Sequence, residues 1–268
     1  MEYDNVLFAF LITLFAGLST GIGSALAFFA KRTNTRFLSL SLGFSAGVMI
    51  YVSFVEIFVK AKDSLVSIHG DKLGTIYTVV SFFGGIALIA IIDKLIPSQE
   101  NPHEIRDVEE ISDNSKRNKS LMRMGLFSAL AIAIHNFPEG IATFSAGLTD
   151  PTIAIPIAFA IAIHNIPEGI AVSVPIYFAT GSRKKAFIYS FLSGLTEPLG
   201  AILGYVLLRQ LFDENIFGVL FAGVAGIMVF ISLDELLPTA GKYGKHHHAI
   251  YGLIAGMAVM ALSLVLFM

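Results

Sequence analysis

The chain has 268 residues, 55% of them apolar and only 14% charged, with a mean hydropathy of +0.74. A soluble domain of this size carries about 25% charged residues, so a large soluble fold is disfavoured and a membrane protein is indicated. A net charge of −2 without a basic stripe excludes nucleic acid as a partner, and the lack of cysteine excludes disulfides, thiolate metal sites and thiol chemistry.

Eight apolar runs are long enough to cross a bilayer as helices, roughly 6–30, 37–59, 74–96, 121–147, 152–179, 186–208, 216–238 and 249–267. None alternates as a barrel strand does, so the expected fold class is an all-α integral membrane protein with eight transmembrane helices. The first run is too long and too weakly basic at its start for a cleaved signal peptide and is kept as a span. Of the 18 basic residues, 14 fall on alternate loops: Lys31, Arg32 and Arg36; Lys94, Arg106, Lys116, Arg117, Lys119 and Arg123; Arg183, Lys184 and Lys185; Lys242 and Lys245. Basic loops stay cytoplasmic, which puts both termini outside the cytoplasm of a multi-pass plasma-membrane protein. The long connection, 97–120, mixes acids and bases without apolar periodicity and reads as a mobile cytoplasmic loop.

Two internal repeats organise these spans. Ala131 to Ala142 reads AIAIHNFPEGIA and Ala160 to Ala171 reads AIAIHNIPEGIA, identical at all but one position and 29 residues apart. That offset is one span plus a tight turn at Thr149 to Thr152, so the copies lie on adjacent antiparallel helices, each motif about 20 Å from the turn at 1.5 Å per residue. They meet near the bilayer midplane. A weaker repeat relates GVMIYVSFVEI, Gly47 to Ile57, to GIMVFISLDEL, Gly226 to Leu236, on spans that run in opposite directions. The expectation is a 3+2+3 arrangement with an inverted repeat: 1–96, the helix pair 121–179, and 180–268.

Glu139, Glu168 and Glu197 lie deep in these runs, with no Lys or Arg in their spans to pair with them other than Arg123 at the cytoplasmic end of the fourth. On an insertion scale each costs about 2.5–3.5 kcal/mol, so something must compensate. His135, Asn136 and Glu139, and again His164, Asn165 and Glu168, stand at i, i+1 and i+4, which puts each His and Glu on one helix face with Asn about 100° round the axis. Pro138 and Pro167 free the carbonyls of Ile134 and Ile163, and Gly140 and Gly169 permit close helix approach. Two facing pincers, with Glu197 as a third carboxylate, make an N/O ligand set for a divalent metal such as Zn, Fe, Mn, Co or Ni, whereas two imidazoles argue against Mg and Ca. His and Glu joining two helices by a hydrogen bond is the simpler alternative, but that needs neither duplication nor three unbalanced acids.

Three carboxylates around one divalent ion leave a net −1, so occupancy is linked to protonation and uptake is expected to weaken in acid. No resident cofactor is expected; the metal is cargo. A metal-dependent intramembrane hydrolase is a competing reading, but the spacing is not HExxH and no free general base is evident. An ion channel is another.

Farther from the centre, Ser53 and Glu56, and Ser232, Asp234 and Glu235, are related by the weaker repeat and suit a relay on opposite membrane faces. His246, His247 and His248 on the last cytoplasmic loop, and His103 in the long one, suit transient metal capture. His69 carries no readable signal.

These residues resemble the ZIP (ZRT/IRT-like) divalent metal transporters, most closely a bacterial branch: HNFPEG at 135–140, HNIPEG at 164–169, SGLTEPLGA at 193–201, DKLIP and ENPHE within 93–104, and DELLP at 234–238. The resemblance implies a binuclear midplane site. His135, Glu139, His164 and Glu168 would hold one ion, and Asn136, Asn165 and Glu197, with the two motif glutamates bridging, the second. It also implies inward transport of Zn2+, with Fe2+, Mn2+, Co2+ and Cd2+ as further cargo, a homodimer in the lipid bilayer, and rocking or elevator-like movement of the first, fourth, fifth and sixth spans.

Overall fold

The computed structural model describes residues 3–27, 35–95, 114–149, 151–208, 214–243 and 246–266, and among these all but Gly70, Gly181, Ser182 and Leu195 lie in helix. In chain order the α-helices are α1 (Tyr3–Ala27), α2 (Thr35–Val52), α3 (Phe58–Leu95), α4 (Asn114–Thr149), α5 (Pro151–Thr180), α6 (Arg183–Gly194), α7 (Thr196–Leu208), α8 (Glu214–Ile231), α9 (Leu237–Tyr243) and α10 (His246–Leu266). The chain is thus an all-helical, multi-pass membrane protein. Six described stretches are long and apolar enough to cross a bilayer. α4 contains the fourth apolar run and begins at Asn114, seven residues before it. The part of the long loop at 96–113, with Arg106 and His103, lies outside the described residues, as do Lys31, Arg32, Asp150, Arg209 and Lys245. The histidine run opens α10 as its first turn instead of forming a loop.

One stretch, Ser39–Lys94, has 56 residues. Straight, it would reach about 84 Å, nearly three times the ~30 Å hydrocarbon core. It folds back at Gly70, whose φ of 76° and ψ of 166° belong to a region open essentially to glycine alone. The bend is held from outside: His69 Nε2 lies 2.9 Å from Asn215 Oδ1 on α8, and its ring stands edge-on to Tyr77. Sequence gave His69 no role; its partner is 146 positions away. Gly70→Ala should cost about 1–3 kcal/mol of strain, read as a lower thermal midpoint in detergent; a midpoint equal to wild type would contradict the assignment.

Between α2 and α3, Ser53–Ile57 is a five-residue π-helical turn, and between α8 and α9, Ser232–Leu236 is another. They fall in the two copies of the weaker repeat at the same register, with Ser first and Glu fourth. Such π turns recur at functional sites in helices.

The helices pack as two sets. α1, α4, α5, α6 and α7 contact one another, while α2, α3, α8, α9 and α10 form the second set. Within each set, glycines let backbones touch. In the second, a Cβ on Gly47 would strike the carbonyl of Leu253, one on Gly226 that of Phe82, one on Gly256 that of Phe44 and one on Gly85 that of Gly223. In the first, Gly23 seats on Ile166, Gly169 on Thr20, Gly140 on Glu197 and Gly200 on Phe137. A hydroxyl clamp adds to this set: Ser24 Oγ donates to Ser190 Oγ at 2.6 Å, and Ser190 Oγ to the Gly169 carbonyl at 2.9 Å. No described glycine makes such a backbone contact between sets. There α5 lies on α2 and α10, and α4 on α8, through an apolar cluster that includes Ala46 and Met49 of α2 and Ile157 and Ile161 of α5.

Candidate metal-binding site

Both HNxPEG motifs sit inside unbroken helices, Pro138 within α4 and Pro167 within α5. All seven residues of the expected ligand set are buried: His135, Asn136 and Glu139 on α4, His164, Asn165 and Glu168 on α5, and Glu197 on α7. The two pincers meet across the helix pair. His135 Nε2 lies 3.2 Å from Glu168 Oε2, and His164 Nε2 lies 3.2 Å from Glu139 Oε1. Each imidazole therefore faces the carboxylate of the other motif. Among the described residues no group of three or more His, Asp or Glu side chains is gathered as a bound ion would gather it; imidazoles and carboxylates meet in pairs.

Glu197 joins them through backbone packing. Its own carbonyl oxygen occupies the space a side chain at Gly140 would fill, while Gly200 accommodates the Phe137 carbonyl in return. α7 is thereby pressed against α4 at the motif itself. The helix break at Leu195 and the proline at 198 start a fresh helix with Glu197 in its first turn, where the helix dipole favours an anion. The charges of Glu139 and Glu168 both act on Glu197.

The two asparagines show what the pairs leave over. Asn165 Nδ2 donates to the Ala16 carbonyl and to Glu197 Oε2, both at 2.9 Å, and Asn136 Nδ2 donates to the Ser193 carbonyl at 3.3 Å. Backbone carbonyls only accept, so the amide orientations are fixed and each Oδ1 points elsewhere. Both Oδ1 atoms, Glu197 Oε1, both Glu139 oxygens, Glu168 Oε2 and all four imidazole nitrogens are buried without a hydrogen bond of good geometry. Such a density of unsatisfied buried polar atoms requires a cause. Among the residues whose side chains the structure describes, no Lys or Arg is buried. Helix joining by two His–Glu pairs accounts for four of these side chains and leaves Asn136, Asn165 and Glu197 unexplained.

Ser45 of α2 is a neighbour that the sequence reading missed. Its Oγ lies 3.3 Å from Glu168 Oε1 and 3.4 Å from the His164 carbonyl. One serine among the four of an apolar run gives only a faint signal. Of the outlying candidates, Glu235 is buried and close enough to His135 for its charge to act there. Ser53 and Ser232 are fully buried, with Ser232 Oγ donating to the Met228 carbonyl at 2.7 Å. Glu56 is half-buried and feels the charge of Lys60 one turn on.

Fold and site together define a multi-pass helical membrane protein with a buried imidazole, amide and carboxylate centre at the contact of two repeated motifs. Residues 94–264 match the family model described as ZIP zinc transporter. The chain is 64% identical to the zinc transporter ZupT of Clostridium perfringens, covering 98% of this chain and 97% of that protein. It is 65% identical to that of Chlorobium chlorochromatii, covering 98% and 99%, and 66% identical to that of Streptococcus mutans, covering 97% of each. The chain belongs to the ZIP family, as its motifs led one to expect. That is a family of membrane transporters and not of enzymes, so the hydrolase reading is set aside.

Proposed function

We propose that this protein carries divalent metal ions, zinc foremost, across the plasma membrane into the cytoplasm by alternating access through a binuclear site. The carrying observation is the set of acceptors left over at the motif contact: two anchored asparagines with free Oδ1 atoms, beside three carboxylates that have only two imidazoles, and no buried Lys or Arg among the described side chains, to balance them. His135, Glu139, His164 and Glu168 would take one ion, and Asn136, Asn165 and Glu197, with Glu139 and Glu168 bridging, the second. Borderline N/O donors suit zinc and also admit Fe2+, Mn2+, Co2+ and Cd2+. The relatives are named as zinc transporters, which favours zinc and weighs against an open channel.

The eight-span, 3+2+3 plan with inverted repeat draws support from packing. Gly47 on Leu253 and Gly226 on Phe82 are the same contact transposed, since Gly47 and Gly226 are 179 residues apart and Phe82 and Leu253 are 171 apart. Gly256 on Phe44 and Gly85 on Gly223 repeat both offsets. The paired π turns add a third correspondence. With the basic loops inside, both termini face outward. Ser53 and Glu56 then serve the outer approach, and Ser232 and Glu235 the inner one. A homodimer accompanies this reading.

Backbone-tight sets with a side-chain seam between them are what sliding or rocking requires. An introduced cysteine pair joining α2 to α5, clean in a chain without native cysteine, should therefore bring zinc uptake into vesicles to background on oxidation and release it on reduction. A pair joining α1 to α5 should leave at least about half of it. Saturable uptake by the unlinked protein and failure of only the first pair support the reading; uptake linear in zinc, or indifference to the α2 to α5 link, overturns it.

A further inference from the structure

We infer that Ser45 is a positioning residue for Glu168, supplied to the metal-binding side chains from the opposite helix set. This deepens the transport reading and rests on it.

Every proposed ligand belongs to the first set, on α4, α5 and α7. Ser45 belongs to α2 in the second. It is fully buried, and its single hydroxyl proton has two acceptors in reach, Glu168 Oε1 at 3.3 Å and the His164 carbonyl at 3.4 Å. The carboxylate is the stronger acceptor, because a hydrogen bond to an ionised group exceeds one to a neutral carbonyl. Glu168 is thus steadied from two sides, by Ser45 at Oε1 and by His135 at Oε2, 3.2 Å away. Of the two Glu168 oxygens, Oε1 has the Ser45 hydrogen bond, while Oε2 has the imidazole as an ion-pair neighbour without a hydrogen bond of good geometry.

Hydrogen bonds to a metal-ligating carboxylate fix its orientation, and losing one costs roughly 10–100-fold in affinity; at 3.3 Å the lower end applies. The seam geometry adds a consequence. Asn165 is anchored on Ala16 of α1 and Asn136 on Ser193 of α6, both within the first set, so they travel with the ligands. Ser45 does not travel with them. Displacement of α2 along α5 withdraws its hydrogen from Glu168 and loosens one ligand while the rest of the shell stays intact, a built-in means of lowering affinity at release.

The test is zinc uptake into vesicles by purified wild type and Ser45→Ala, a substitution that keeps α2 helical and adds no bulk. The expected result is a half-saturating zinc concentration raised about tenfold, with the maximal rate within twofold of wild type. An unchanged half-saturating concentration overturns the inference, and so does a loss carried by maximal rate. A wild type that takes up no zinc overturns the transport reading itself. One that carries zinc beside an unaltered Ser45→Ala overturns the Ser45 assignment alone.

Discussion

Glu168→Ala should reduce zinc uptake at least about 100-fold while leaving the protein folded. Glu168 is the best-connected carboxylate of the centre, facing His135, Ser45 and, through its charge, Glu197. Its removal takes away one ligand of the first proposed ion and one bridge to the second, and lowers the balancing charge from three carboxylates to two. The fold should survive for the same physical reason. A carboxylate in mid-membrane opposes insertion by about 2.5–3.5 kcal/mol, so its loss compensates for the stranded imidazole of His135. Ligand linkage supplies a readout apart from transport: zinc at 100 times its dissociation constant should stabilise wild type by about 2.7 kcal/mol, visible as a rise in thermal midpoint, and the variant should lose that rise. Uptake above a tenth of wild type, or an intact zinc-induced shift, would show that Glu168 does not hold the cargo.

The centre was legible in sequence because a carboxylate in an apolar span is costly enough to need a purpose, and because the duplicated motif pointed to an adjacent helix pair on which its copies meet. His135 facing Glu168 and His164 facing Glu139 follow from two antiparallel helices whose i and i+4 residues share a face. The proline and glycine of each motif were read as points of loosening and close approach; the glycines are indeed where α1 and α7 touch backbone. What stayed hidden depends on partners remote in the chain. His69 has meaning only through Asn215, and Ser45 only through Glu168, 123 positions on. The π turns were hidden because Ser53 to Ile57 and Ser232 to Leu236 have ordinary helical compositions; the repeat marked the places without telling their shape. The gap between the second and third apolar runs is visible in sequence, but the positive φ that Gly70 adopts within it is not.

The second large effect should come from a single methyl group. Gly169 follows Glu168 and seats against the Thr20 carbonyl of α1, an oxygen that a Cβ at this position would overlap. Because the obstacle is backbone, no rotamer change relieves it, so Gly169→Ala must push α1 from α5. Overpacking of this kind costs about 1–3 kcal/mol, against which better helix propensity returns up to about 1 kcal/mol. The functional cost should be larger, since Ala16, one turn before Thr20, anchors Asn165, and Asn165 in turn donates to Glu197. Moving α1 outward releases that amide and unsettles two proposed ligands together; in preorganised sites a misplacement near 1 Å costs about 100-fold. Gly169→Ala should thus lose about 100-fold in uptake with a lowered thermal midpoint. Gly84 on α3 is the control: a Cβ there has no neighbour within 4 Å, so Gly84→Ala should match wild type in uptake and melt no lower. Equal behaviour of the two alanines, whether both tolerated or both harmful, would mean that helix propensity and lipid packing govern these glycines and that the α1 to α5 backbone contact does not set the geometry of the site.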